Sequence, residues 1–150
     1  MRVGIKLAFR WIKARGGERR VFDGVDDLDW AGGALVRWAR ADGAFFLRLN
    51  EVTSQARVYK QTLDHFFRRE YRAWRPVYGD FSVEILVEVR DGLPPIDLDN
   101  VAKAVLDGIK GALFFDDAQV ARLLVQRAPA QTERITIKVS ALGTPPGPGG

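Results

Sequence analysis

Cysteine is absent from the 150 residues, and histidine occurs once, as His65. The first absence excludes disulfides and thiolate zinc sites. The second excludes multi-histidine centres, so any bound metal must be held by oxygen. Long apolar runs are missing too. No stretch approaches the roughly 20 residues needed to span a bilayer, and the opening "MRVGIKLAFRWIKARGG" is broken by charges where a signal peptide needs an unbroken apolar core. The expectation is a cytoplasmic chain with no membrane partner. Proline and glycine crowd together only in "GTPPGPGG", residues 143–150, which cannot bury apolar area and is expected to be disordered.

The remaining residues, 1–142, have the length of one domain, and 47% hydrophobic content is enough for a core. A formal net charge of +4 favours a polyanionic partner without proving one. Its distribution is uneven. Met1 to Arg20 carries seven Arg or Lys against one Glu, and Arg57 to Arg75 carries six basic residues against Asp64 and Glu70.

Periodicity predicts a mixed α+β fold, a small sheet with two main helices. "VGIKLAF" and "AFFLRL" read as strands, and "DLDWAGGALVRWARA" reads as a helix weakened by Gly32 and Gly33. Arg57 to Ala73 reads as a helix with Leu63, Phe67, Tyr71 and Trp74 at three- and four-residue steps. "FSVEILVEVR" alternates as a half-buried strand does, with Phe81, Val83, Ile85, Val87 and Val89 inward and Ser82, Glu84, Glu88 and Arg90 outward. Asp99 to Lys110 is an amphipathic helix. "QVARLLVQRA" and "ERITIKVSA" read as two further strands joined as a hairpin.

Between Asp91 and Asp117 the charge inverts: six aspartates stand against Lys103 and Lys110. Helix capping accounts for Asp97 or Asp99 but not readily for both. Asp116 and Asp117, in "FFDDAQV", taken alone read as a turn. The two pairs can meet if Leu113 to Asp117 is extended, because five such residues return roughly 16 Å and a ten-residue helix advances roughly 15 Å. Converging carboxylates repel unless a hard cation neutralises them. Mg²⁺ takes a few carboxylates and completes its shell with water and phosphate oxygens, which points to phosphoryl transfer. Lys103, one helical turn beyond Asp99, is placed to contact a phosphate; its bland role is an ion pair with Asp99 or Asp107.

An EF-hand starting at Asp97 would need glycine and glutamate where Ala102 and Gly108 stand. A phosphatase with an aspartyl nucleophile would need an apolar strand in place of "DGLPP". The run "DLDNVAKAVLDGIKGALFFDDAQVARLLVQR", Asp97 to Arg127, instead closely resembles the core of the RusA family of Holliday junction resolvases. The resemblance is strongest over residues 80–140 and extends back to about Phe45; residues 1–44 match nothing recognisable. It implies a homodimeric mixed α/β domain that cuts four-way DNA junctions with Mg²⁺ or Mn²⁺. By position, Asp97, Asp99 and Asp117 would hold the metal and Lys103 would assist catalysis, with Asp116, Asn100 and Asp107 in support.

Arg57, Lys60, Arg68, Arg69 and Arg72, on the basic helix, are the candidates for gripping the DNA backbone; a solvated helix face is the equally weighted alternative. Phe66, Phe67, Tyr71 and Trp74 are assigned to the core or a dimer contact. Two rival functions remain: a branched-DNA-binding module without activity, in which the aspartates only cap and turn, and a metal-dependent nuclease acting on flaps or plain duplex.

Overall fold

The computed structural model describes residues 7–8, 22, 24–69, 75–92 and 96–142. The element order is β1 (Leu7–Ala8), β2 (Ala31–Gly32), β3 (Val36–Ala41), β4 (Ala44–Leu49), α1 (Ala56–Arg69), β5 (Phe81–Val89), α2 (Leu98–Ile109), β6 (Val120–Pro129) and β7 (Arg134–Ala141), with short 3₁₀ turns at Val25–Asp27 and Asp117–Gln119. One mixed sheet orders the strands β1-β6-β5-β7-β4-β3-β2. Strands β5 and β6 are parallel and joined through α2, whereas β7 runs antiparallel to both β5 and β4. This is the α+β fold with two helices expected from the sequence.

Three local expectations are corrected. The helix expected in "DLDWAGGALVRWARA" is instead a 3₁₀ turn followed by strands β2 and β3. Asp42 and Gly43 both have positive φ, at 51° and 78°, and form the two-residue turn between β3 and β4. Asp-Gly between apolar strands favours that turn, and it outweighs the weak helical pattern. The hairpin expected between β6 and β7 does not form, because β5 inserts between them and pairs with both. Finally, β5 is not half-buried: Ser82 and Glu84 are buried along with Phe81, Val83 and Ile85. The strand expected over "VGIKLAF" and the end of the basic helix, residues 70–74, lie largely or wholly outside the described residues.

Both faces of the sheet are covered. On one side α1 and α2 pack Tyr59, Leu63, Phe66, Val101, Val105 and Ile109 onto the inward residues of β4, β5, β6 and β7. The helices approach closely at Gly108, where an added Cβ would lie 3.2 Å from Tyr59 Cβ and 3.0 Å from Leu63 Cδ1. On the other side Phe22, Val25, Leu28 and Trp30 cover Ala39, Ala44 and Phe46. The polar residues of that face are held in ion pairs: Glu84 with Arg122 (3.3 Å) and Lys138 (3.6 Å), and Glu88 with Arg134 (2.8 Å). Buried Arg48 pairs with Asp26 at 3.0 Å, donates from Nε to Thr136 Oγ1 and lies over the Trp30 ring. Burial pushes its guanidinium below the ordinary value, and the Arg134 charge adds to the shift, while Asp26 opposes it.

The loop entering α1 is fastened by Tyr59, whose hydroxyl donates to the Glu51 carbonyl (2.9 Å) and accepts from Thr53 N–H (3.0 Å). Burial pushes the phenol well above its ordinary value, so the hydroxyl stays neutral and keeps its donor.

Candidate functional site

Strand β5 delivers the chain to α2, where Asp97 is the N-cap. Its Oδ1 accepts from Asp99 N–H at 3.0 Å, and its Oδ2 accepts from Asn100 Nδ2 at 3.1 Å. Asn100 therefore supports Asp97 directly. The side chain of Asp99, in the first turn, takes no part in this cap. Its Oδ1 is buried and accepts no hydrogen bond among the described residues. Leaving a buried carboxylate oxygen unsatisfied costs about 1–3 kcal/mol or more, so capping explains one aspartate of the pair and leaves the other unexplained.

Lys103 is exposed and forms no ion pair with Asp99 or Asp107 among the described residues, so its bland role is absent. Asp107 lies further along α2 and is half-buried.

The second pair follows the C-terminus of α2. Gly111, at φ 86°, turns the chain; its N–H donates to Phe114 O at 2.7 Å, and Leu113 N–H donates to Ile109 O. The extended return expected over Leu113 to Asp117 is therefore replaced by a tight turn. Phe114 is fully buried against Phe81, with ring centroids 5.5 Å apart, and bridges Val77 and Lys110 through its backbone. Asp116 caps the 3₁₀ turn at Asp117–Gln119, its Oδ2 accepting from Ala118 N–H. Asp117 is half-buried, with Oδ1 facing inward.

Gln119 locks this turn in place. Its Oε1 accepts from Phe115 N–H (2.7 Å) and Asp116 N–H (3.1 Å), while its Nε2 donates to Val77 O and Gly79 O (2.9 Å each). Sequence reading missed Gln119, although Asp116-x-x-Gln119 has the spacing of a capping box. It also missed the exposed rings of Tyr78 and Phe115.

Among the described residues no group of three Asp, Glu, His or Cys side chains is close enough to hold a metal ion. The two acidic pairs instead flank α2, one at its start and one in the turn after its end. Twelve residues of helix span roughly 18 Å. The donor set, carboxylates without thiolate or multiple imidazoles, suits a hard cation such as Mg²⁺.

Arg57, Lys60, Arg68 and Arg69 are all exposed on α1. Arg57, Lys60 and Arg68 fall within one stripe of the helix, interrupted by Asp64. Arg72, Tyr71 and Trp74 lie outside the described residues. Phe66 is core, and Phe67 packs against the core half-buried.

A family model described as Endodeoxyribonuclease RusA matches residues 37–140, taking in β3 through β7 and both acidic pairs. No curated protein matches the chain. No helix among the described residues is long and apolar enough to cross a membrane.

Proposed function

Because the chain belongs to the RusA endodeoxyribonuclease family, we propose that it is a divalent-metal-dependent endonuclease that resolves four-way DNA junctions as a homodimer. The observation that carries the metal reading is Asp99, whose buried Oδ1 accepts no hydrogen bond among the described residues and is suited to a cation. Asp97, Asp99 and Asp117 would hold Mg²⁺, with Mn²⁺ as a substitute. When bound, the ion would lower the pKa of a coordinated water and stabilise charge on the reacting phosphate oxygens.

The chain's own residues have distinct tasks. Asn100 holds the Asp97 carboxylate, and the Gln119 lock fixes the backbone of the turn bearing Asp117. The exposed Lys103 ammonium would neutralise a phosphate oxygen, and the basic stripe of α1 would bind the DNA backbone.

Since one chain does not gather three acidic ligands among its described residues, the reading includes a shared site. Asp97 and Asp99 of one copy would face Asp117 of the other, and a two-fold dimer would then hold two such sites, one for each nick of a symmetric junction.

The non-catalytic alternative requires that the aspartates only cap and turn. Asp97 and Asp116 do cap, but Asp99 does not.

The test compares a synthetic four-way junction, a flap and a linear duplex at one salt concentration, with Mg²⁺ and with a chelator. Paired nicks in the junction alone, only with Mg²⁺, are expected. Equal cutting of all three would replace junction selectivity with a relaxed nuclease. Junction binding without nicking would favour the binding module.

A further inference from the structure

Beside the second acidic pair, two aromatic rings stand in solvent. Tyr78 is 81% exposed and Phe115 44% exposed, yet they stack on each other with centroids 4.3 Å apart and planes 23° apart. Such exposure gives little stabilisation from burial, and it is the neighbouring Phe114 that enters the core.

The pair is also held in position. The carbonyls that accept from Gln119 Nε2 belong to Val77 and Gly79, on either side of Tyr78, and the amides that donate to its Oε1 belong to Phe115 and Asp116. One side chain thus joins the segment carrying one ring to the segment carrying the other, and Asp117 lies two residues beyond Phe115.

A rigid, solvent-facing π surface next to a carboxylate of a DNA-cutting site matches the face of an unstacked nucleobase, which aromatic side chains bind with little regard to sequence. Continuous duplex offers no such face, because its bases are stacked on both sides. At a branch point the strands exchange, and a base there is cheaper to displace.

We propose that Tyr78 and Phe115 form a stacking platform for a nucleobase displaced at the branch point near the scissile phosphate, and that this contact contributes to preference for junctions over duplex. The inference rests on the junction-nuclease reading above. A second copy of the chain is the competing occupant of the same rings.

The test measures affinity for a synthetic four-way junction and for a linear duplex of the same sequence, in a chelator so that strands stay intact. It compares the native chain, Tyr78→Phe, and the double variant Tyr78→Leu/Phe115→Leu, which keeps apolar side chains but removes the π faces. The double variant is expected to lose about 5- to 150-fold in junction affinity, the equivalent of about 1–3 kcal/mol of stacking, with duplex affinity changed by less than about 2-fold. Tyr78→Phe should retain junction affinity.

Equal losses on both DNAs, or no loss on either, would overturn the platform. So would a loss that tracks conversion of dimer to monomer in sedimentation, which would assign the rings to a subunit contact. A native chain with no preference for the junction would instead overturn the parent reading along with the platform. If the native chain prefers the junction and the double variant does so equally, the platform alone fails.

Discussion

Asp99→Asn is expected to cut a synthetic four-way junction at least about 100-fold more slowly than the native chain, because on the proposed reading it removes a metal ligand worth several kcal/mol of transition-state stabilisation. Junction affinity should stay close to native, since backbone contacts from basic residues dominate it. Asparagine keeps the shape of the side chain and removes the charge that a cation requires. The helix cap is untouched, because Asp97 supplies it. Stability should change little, because losing a first-turn charge and relieving a buried carboxylate oxygen that accepts no hydrogen bond among the described residues oppose each other. Single-turnover nicking rates together with thermal melts read both halves of this expectation. Normal cutting by Asp99→Asn would remove the residue from the site, and a lower melting temperature would make its role structural.

Phe114→Ala is the second large effect, and it acts on stability. Phe114 is fully buried, packs on Phe81, and anchors the turn between α2 and β6 through bridges to Val77 and Lys110. Removing a buried phenyl ring costs about 3–5 kcal/mol, a large share of the 5–15 kcal/mol that holds a typical domain together. The midpoint of denaturant unfolding should fall by a corresponding amount. Nicking should also slow under conditions where the variant remains folded, because the turn that carries Asp117 loses its buried anchor. A change below about 1 kcal/mol, the scale of an ordinary point substitution, would mean that the turn is held by Gln119 alone.

The legible parts of the chain were those with a strong local period. Strand β5 showed it through Val83, Ile85 and Val87, and helix α2 through Val101, Val105 and Ile109; both appear close to the expected bounds. The capping role of one aspartate was legible as well, and the structure assigns it to Asp97.

Strand partners were not legible. Nothing in "QVARLLVQRA" or "ERITIKVSA" reports that β5, distant in sequence, will lie between them. The covering of the second sheet face was equally hidden, because the apolar residues from Phe22 to Trp30 are interspersed with an acidic block and show no helix or strand period. Charged Glu84 and Glu88 suggested solvent, whereas Arg122 and Lys138 pair with the first and Arg134 with the second.

Around the candidate site, the sequence marked the acidic pairs and the basic helix as candidates but not how the second pair is held. The arrangement depends on Gln119, whose side chain ties the turn to the segment before β5. "FF" gave no sign that Phe114 would point inward and Phe115 outward. The expected extended return of Leu113 to Asp117 failed for a local reason, since Gly111 and the Ile109 carbonyl close a tight turn there.

The proposed shared centre, with Asp97 and Asp99 from one copy and Asp117 from the other, is tested most directly by mixing two variants that are each expected to be inactive. A heterodimer of Asp99→Asn with Asp117→Asn would concentrate both lesions in one of its two sites and leave the other intact. Random subunit exchange would make about half of the dimers heterodimers, so the mixture should regain junction nicking to about a quarter of the native rate of strand cuts. If the mixture, after verified subunit exchange, stays as inactive as either variant alone, the carboxylates do not form one centre across two copies.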